Sequence, residues 1–156
     1  MKINICLGNS NNPLNGYINT NIYENNEFKA CHPENLNDIV DDGEAEEILA
    51  VNVLNYIEYS KVKNVVINWY KKLKYDGTMT ISFFDFLETS RLLTTQFISI
   101  DDARKLFFGE QIDSWQFFKS GISLTDIKKY FCDINAKIEY CKRDGCISYI
   151  KVRRTK

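Results

Sequence analysis

Two hydrophobic periodicities alternate along this chain, and their order is the first indication of its fold. Short runs that are apolar or strictly alternating, as in β-strands, recur between clusters of turn-forming residues. They cover residues 1–7, 17–23, 46–53, 78–84, 136–141 and 146–152. The stretch from 24 to 45 lacks such a pattern and is expected to be irregular. The chain is therefore expected to build a sheet whose strands are separated by loops and helices.

The clearest helical pattern lies between the third and fourth of these strands. From Ser60 to Leu73 the apolar residues are three or four positions apart, which places them on one face of a helix. Ser60 is expected to be the N-cap, because its hydroxyl can accept a hydrogen bond from a free backbone N–H. Asp76-Gly77 is expected to end the helix before the next strand begins.

Three further helices are predicted in the second half of the chain. The first two cover 86–97 and 101–107, and the latter follows a cap signal at Ile100-Asp101. The third begins at Ser123, which has Asp126 three positions later, the spacing of a capping box.

The end of the chain completes the predicted fold. Lys142-Arg143-Asp144-Gly145 joins the last two strands, and an Asp-Gly pair is typical of a tight antiparallel hairpin. Strands that alternate with helices and close with a hairpin predict an α/β fold with a mostly parallel sheet, here as a single domain of 156 residues. Such sheets bind ligands beyond the carboxyl ends of their strands, so the site is expected in the loops after residues 7, 22, 51 and 84.

Composition narrows the classes of partner. The net charge of -1 and the pI near 5.9 argue against nucleic acid, whose binding usually needs a basic excess. No run approaches the roughly 18 apolar residues of a membrane span, and no signal peptide is visible, so a cytoplasmic location without membrane contact is expected. The scattered cysteines predict reduced thiols and no metal site. The frequent Asn, Lys and Ile suggest AT-rich coding, as in some viruses, phages and bacteria.

Three segments carry a resemblance to a known family. They are INICLGNSNNPLNGYINTNI (3–22), EEILAVNVLNYI (46–57) and INWYKKLKYDGTMTISFFD (67–85). Their order and spacing resemble a small family of class I S-adenosylmethionine-dependent methyltransferases, and the remaining segments up to the hairpin resemble its ending. The resemblance implies a Rossmann-like sheet and S-adenosyl-L-methionine as the cofactor.

The resemblance also implies a set of cofactor-binding residues. Gly8 would let the backbone approach the methionine part of the cofactor, where a Cβ would collide. Asn21 stands where the family has an acid that accepts hydrogen bonds from both ribose hydroxyls, and an amide offers one acceptor oxygen instead of two. Cofactor binding should weaken by about 1 to 3 kcal/mol in consequence. The full implied set is Gly8, Asn9, Asn21, Ile22, Asn35, Leu36 and Asn52.

Other positions also depart from the family. Cys6 stands where the family has the first glycine of its Gly-x-Gly, and Asn35 stands where it has an acid near the adenine. Asn52, Asn55 and Tyr56 replace a histidine, a glutamate and a second histidine. The connection between the first two strands is also too short for the usual helical crossover, so the first helix of the fold is expected to be missing.

These departures limit the candidates for catalysis. An amide cannot act as a general base, so acid–base chemistry falls to Asp85 or Tyr56, or is unnecessary for an acceptor that is already nucleophilic. Asp85 has an alternative role as the N-cap of the helix that follows it. The aromatic residues between 107 and 118 are interpreted as core or lid packing, with a substrate platform as the alternative.

Two hypotheses of function follow, with a weaker third. In the first, the chain is a methyltransferase whose acceptor, by resemblance, is a small molecule or a sugar. In the second, a methyltransferase-like domain has lost catalysis and serves as a binding or structural subunit, for instance of a virus particle. The third is a nucleotide-binding module of other chemistry, which ATP or NAD would stabilise when S-adenosylmethionine does not.

Overall fold

One sheet organises the computed structural model, which describes residues 1–8 and 13–155. Its strands are β1 (Lys2–Ile5), β2 (Ile18–Asn21), β3 (Lys29–Ala30), β4 (Ala45–Val51), β5 (Leu73–Phe84), β6 (Lys137–Asp144) and β7 (Ile147–Arg153). The helices are α1 (Tyr59–Lys72), α2 (Phe86–Thr94), α3 (Ile100–Phe108) and α4 (Leu124–Asp133). Two short 3-10 helices lie at Pro33–Asp38 and Leu54–Tyr56.

The strand order is β3-β2-β1-β4-β5-β7-β6. The pairs from β3 to β5 are all parallel, whereas β7 runs antiparallel to both β5 and β6. The predicted α/β fold class, a mostly parallel sheet with an antiparallel C-terminal hairpin, is therefore confirmed. The order reverses between β1 and β4, because β1 lies beside both β2 and β4, and open α/β sheets bind ligands at such a reversal.

The core forms where helices cover the sheet. Ile3, Ile48 and Ile81 are fully buried at the centre of β1, β4 and β5. Trp69 of α1 is also fully buried, and its indole N–H donates to the Pro33 carbonyl at 2.8 Å. Because that hydrogen bond satisfies the polar end of a large apolar side chain, it ties the segment before β4 to the core. Among the described residues, no helix combines the length and apolarity needed to cross a membrane.

Several local predictions were wrong. Helix α1 begins at Tyr59 after Glu58 with no side-chain cap, so Ser60 lies inside the first turn instead of capping it. Helix α3 is capped by Ser99, whose hydroxyl and backbone pair with Asp102 in a capping box, and not by Asp101. Ser99, two residues before Asp101, is the cap because it has an acid at the capping-box spacing. The segment 24–45 is not wholly irregular, since it holds β3 and a 3-10 helix.

The end of α1 also differs from the prediction. Strand β5 starts at Leu73, directly after the helix, so Asp76-Gly77 lies inside the strand. Asp76 has a left-handed φ of 62° and the pairing with β4 shifts register between Ala45 and Glu47, so the turn signal is used as a kink in a paired strand. In the described part of the connection from β1 to β2, residues 6–8 and 13–17, there is no helix.

Asp85 joins three elements just beyond β5. Its Oδ1 accepts hydrogen bonds from the N–H groups of Leu87 (2.9 Å) and Glu88 (3.2 Å), which caps α2. Its Oδ2 accepts from the Leu124 N–H at 2.8 Å and from the Ser148 hydroxyl at 2.7 Å. With four donors and 1% exposure, this carboxylate fixes the starts of α2 and α4 against β7.

Replacing Asp85 by Ala should lower the free energy of unfolding by about 2 to 4 kcal/mol, because it removes a helix cap and leaves buried donors unpaired. The matched control is Ser99→Ala, which removes the exposed cap of α3 and should cost about 1 kcal/mol. Urea denaturation followed by circular dichroism measures both. Equal losses for the two variants would show that Asp85 does not join the elements in this way.

Candidate functional site

The turn after β1 is held by the side chain of Asn21 at the end of β2. The Gly8 N–H donates to Asn21 Oδ1 at 2.9 Å, and Asn21 Nδ2 donates to the Gly8 carbonyl at 2.8 Å. The same oxygen accepts from the Ile22 N–H at 2.8 Å. Asn21 is 5% exposed, so its amide oxygen is fully used by backbone donors and does not face a ligand.

The indole ring of Trp115 covers Gly8. Gly8 has a left-handed φ of 65°, and a Cβ added to it would overlap three carbon atoms of that ring. Only a residue without a side chain lets the ring lie so close to the backbone. The group that approaches Gly8 here is a side chain of the same protein, and contact of Gly8 with a cofactor stays a prediction.

Asparagine residues also shape the end of β4. Asn52 has a φ of 55°, a left-handed conformation that asparagine tolerates, and its N–H donates to the Ser82 carbonyl at 2.9 Å. Asn55 is 2% exposed and pairs with the main chain of Phe84, its amide donating to the carbonyl and its oxygen accepting from the N–H, both at 2.9 Å. These bonds fix the turn after β4 against the end of β5.

A cavity of about 420 Å³ opens beyond the ends of β4 and β5. Its aromatic walls are the rings of Tyr56, Phe84, Trp115 and Phe118. Tyr56 meets Phe118 edge to face with ring centroids 5.0 Å apart, and Phe84 stacks on Phe118 at 5.5 Å. Because Trp115 both lines this cavity and covers Gly8, its ring is the partition between the cavity and the turn after β1.

Polar groups surround the cavity at specific points. Asn52 and Gln116 contribute amides, and Lys105 and Glu110 contribute the charged groups, both on exposed residues. Burial raises the pKa of the Tyr56 phenol, and the nearby Glu110 carboxylate raises it further. Tyr56 is therefore neutral near pH 7 and can donate a hydrogen bond, but it is poorly suited to act as a base.

The segment from Gly109 to Phe118, called here the covering loop, brings Trp115 to its place. Its ends are joined by a hydrogen bond from the Phe118 N–H to the Phe108 carbonyl at 3.0 Å. Next to it, the Lys119 N–H donates to the Asn55 carbonyl at 2.7 Å. A loop with its ends so close is an Ω-loop, and this one is attached to the same asparagine that fixes β4 and β5.

The predicted site residues fall into separate groups. Gly8, Asn21 and Ile22 lie together at the turn after β1, and Asn52 and Tyr56 lie in the cavity. Asn35 lines a separate pocket of about 310 Å³ against α1, and Leu36 is fully buried in the core. Asn9 lies outside the described residues. All of these except Tyr56 are the seven predicted cofactor contacts, and they remain predictions, although the structure does not bring Asn35 and Leu36 to the cavity.

Asp85 does not face the cavity, because all its contacts are with the donors that it caps. Its catalytic role stays a prediction that this geometry does not favour. The sequence pattern missed Lys105, Glu110 and the pocket role of Phe84. The only signal for this part of the site was the cluster of aromatic residues from 107 to 118, for which a substrate platform was the alternative to packing.

Comparison by sequence finds no matching family model and no matching curated protein. Solved structures do match. A carbon methyltransferase, CurJ, is 12% identical with a TM-score of 0.63, over 99% of this chain and 48% of that one. A 1,6-didemethyltoxoflavin-N1-methyltransferase from Burkholderia thailandensis was solved with 1,6-didemethyltoxoflavin and S-adenosylhomocysteine. It is 13% identical with a TM-score of 0.57, over 90% of this chain and 63% of that one. An O-methyltransferase family protein from the same organism is 13% identical with a TM-score of 0.57, over 83% and 36%.

The chain has the Rossmann-like fold of the class I S-adenosylmethionine-dependent methyltransferases. It spans between about a third and two thirds of the length of these three neighbours. Within this methyltransferase fold, the Gly8 turn and the cavity occupy the carboxyl edge of the parallel strands, where open α/β sheets bind ligands.

The pairing of Asn21 with Gly8 can be tested by Asn21→Asp, which restores the acid that the resemblance implies. A carboxylate cannot donate to the Gly8 carbonyl, so the free energy of unfolding should fall by about 1 to 3 kcal/mol. The matched control is Asn25→Asp, because Asn25 Oδ1 only accepts, from the Glu27 and Phe28 N–H groups, and a carboxylate can do the same. Thermal and urea unfolding should show a loss for the first variant alone, and an unchanged Asn21→Asp would contradict the donor role of the amide.

Proposed function

We propose that this chain is a small S-adenosylmethionine-dependent methyltransferase that acts on a small-molecule acceptor. The observation that carries the proposal is the cavity of about 420 Å³ at the ends of β4 and β5, next to a glycine turn at the end of β1. A concave cavity of this size with aromatic walls and a few polar groups, at a sheet's carboxyl edge, is typical of a small-molecule site. The Burkholderia thailandensis neighbour solved with a small-molecule substrate and S-adenosylhomocysteine supports it.

The residues present fit the cofactor on one condition, which is that Trp115 leaves the Gly8 turn. The surface under its ring is a main-chain turn without a Cβ, and it already accommodates a large group at contact distance. Gly8, Ile22 and Asn52 would hold the cofactor there. The face of the Tyr56 ring and the Glu110 carboxylate suit the positive sulfonium, because aromatic faces and carboxylates attract cations.

The ribose contact is where the fit is weakest. Asn21 Oδ1 already accepts from Gly8 and Ile22, so it can offer little to a ribose hydroxyl. The acid that the family supplies at this position would be free to accept, whereas this amide is part of the turn. We expect weak cofactor binding in consequence, with one amide hydrogen of Asn21 left for any ribose contact.

The chemistry that this site can perform needs alignment more than proton transfer. When bound, the cofactor supplies a methyl group: the acceptor's lone pair forms the new bond, the C–S bonding pair stays on sulfur, and the acceptor's proton passes to water. The aromatic walls would exclude water and orient the acceptor, which raises the rate of reaction of an already nucleophilic atom. The neutral Tyr56 phenol would donate a hydrogen bond to the acceptor.

A second candidate function is supported by the contact between Trp115 and Gly8. A ring that fills the glycine turn, together with an amide that is occupied by the main chain, also suits a methyltransferase-like domain without catalysis that serves as a binding or structural subunit. The two candidates differ in whether Trp115 can be displaced by the cofactor.

Trp115→Ala tests this difference. Removal of the ring should strengthen the binding of S-adenosylmethionine and S-adenosylhomocysteine roughly 5- to 150-fold, since displacing a large apolar side chain costs about 1 to 3 kcal/mol. Isothermal titration calorimetry measures the Kd for wild type and variant. The matched control is Phe117→Ala in the same loop, because Phe117 is 43% exposed and should leave the Kd unchanged.

One outcome of the calorimetry would contradict the enzyme proposal. If millimolar S-adenosylmethionine and S-adenosylhomocysteine give neither heat nor a thermal shift with wild type and with Trp115→Ala, the chain does not bind the cofactor. The second candidate function would then stand.

A further inference from the structure

We infer that the cavity beyond β4 and β5 binds a planar aromatic molecule that carries a polar or charged group at its edge. The inference rests on the proposed function, because it assigns the acceptor half of that site. It concerns binding alone, so it can be tested without the cofactor.

The arrangement of the rings is the first argument. Tyr56 and Phe118 meet edge to face with centroids 5.0 Å apart, and Tyr56 and Trp115 are tilted by 51° at 5.8 Å. Phe84 and Phe118 are close to parallel, at 28° and 5.5 Å. These four rings line the same cavity, so a flat aromatic guest there would meet aromatic surface, with which ring pairs gain energy beyond their buried area.

The size of the cavity is the second argument. Its 420 Å³ equals the volume of roughly 14 water molecules at about 30 Å³ each. That space accommodates a bicyclic or tricyclic molecule. It is too small for a nucleoside cofactor and an acceptor together, so the cofactor would have to lie across the Gly8 turn, in the space that the Trp115 ring occupies here.

The polar groups of the cavity are the third argument, and they favour an aromatic ring over a sugar. A hexose carries hydroxyls around its whole edge and needs a partner for most of them. The Gln116 side-chain oxygen already accepts from the N–H groups of Ile112 and Asp113, at 3.0 and 3.1 Å. Asn52 Oδ1 likewise accepts from the Ser82 hydroxyl at 3.4 Å, which leaves the Tyr56 phenol and the Glu110 carboxylate as the side-chain acceptors of the described lining without such a partner.

The charged side chains of the cavity indicate how a bound molecule would be oriented. Lys105 and Glu110 line both the cavity and the shallower pocket next to it, which places them at the mouth where the two meet. The aromatic walls lie behind them. A guest therefore enters with its ring toward Phe84 and Phe118 and keeps its polar substituent at the mouth, where the Lys105 ammonium can bind an anionic or hydroxyl group.

The chain contains a natural reporter for this test. It has two tryptophans, and Trp69 is fully buried in the core whereas Trp115 lines the cavity. Kynurenic acid and naphthol serve as planar aromatic probes, one anionic and one neutral, and methyl glucoside serves as the sugar probe. The aromatic probes should quench the Trp115 emission in a saturable way and bind at least tenfold more tightly than the glucoside. Trp115→Phe should keep the binding, seen by calorimetry, and lose the quenching.

Variants locate the guest in the cavity. Phe118→Ala should weaken both aromatic probes at least tenfold, and Phe117→Ala, outside the cavity lining, should change neither. Because loss of the Phe118 ring can disturb the covering loop, exposed Lys105 provides a second variant. Lys105→Ala should weaken kynurenic acid severalfold and weaken the uncharged naphthol less, because an ammonium binds an anion more strongly than a hydroxyl.

The outcomes separate this inference from the proposed function. Saturable binding of the aromatic probes supports the inference even if S-adenosylmethionine does not bind, in which case the methyltransferase proposal fails alone. If S-adenosylmethionine binds but neither aromatic probe does, or if the glucoside binds as tightly as the aromatic probes, the inference is wrong and the methyltransferase proposal stays in place.

Discussion

The candidate site depends on the hydrogen bonds between the Asn21 amide and the main chain of Gly8. An amide can donate and accept at once, and here it does both with a single residue, at 2.8 and 2.9 Å. A carboxylate at the same place could accept but not donate, so it would be directed away from the Gly8 carbonyl and toward a ligand. Asn21 therefore differs by more than a charge from the acid that the resemblance implies. Its amide supports the turn, and that turn provides the surface on which the Trp115 ring lies.

The position of Trp115 is explained by the space above the Gly8 turn, which its ring fills. An open glycine turn beside a parallel sheet exposes apolar surface, and the covering loop buries it with an indole ring. The loop is attached at its base to Asn55, which also fixes the end of β5, so the segment that carries the ring is joined to both strands. A ligand that competes for Gly8 would have to displace that ring, whereas the strands would not have to move.

The fold could be predicted from the sequence because the hydrophobic periodicity and the turn-forming residues indicate the same elements over most of the chain. The buried strands and the capping box at Ser123 were visible as local patterns, and the hairpin followed from Asp144-Gly145. The failures came where a local signal had a competitor. At α3 the Ser99–Asp102 box outweighed Asp101, and at β5 the Asp76-Gly77 turn signal lies in the register shift between Leu73 and Thr78, after which pairing with β4 resumes. The local signal therefore marks an irregularity within the strand instead of the end of the helix.

The site was less accessible, because its geometry is made by residues far apart in sequence. The resemblance pointed to Gly8 and Asn21, but nothing local indicates that Trp115, more than a hundred residues later, lies on Gly8. Asp85 illustrates the other difficulty. An acid at the carboxyl end of a strand looks catalytic until its four donors are known, and three of these come from backbone N–H groups that no side-chain motif reveals. A carboxylate so fully paired is held by the fold. The charged side chains that line the cavity, Lys105 and Glu110, lie instead on α3 and the covering loop, and no strand-end pattern points to them.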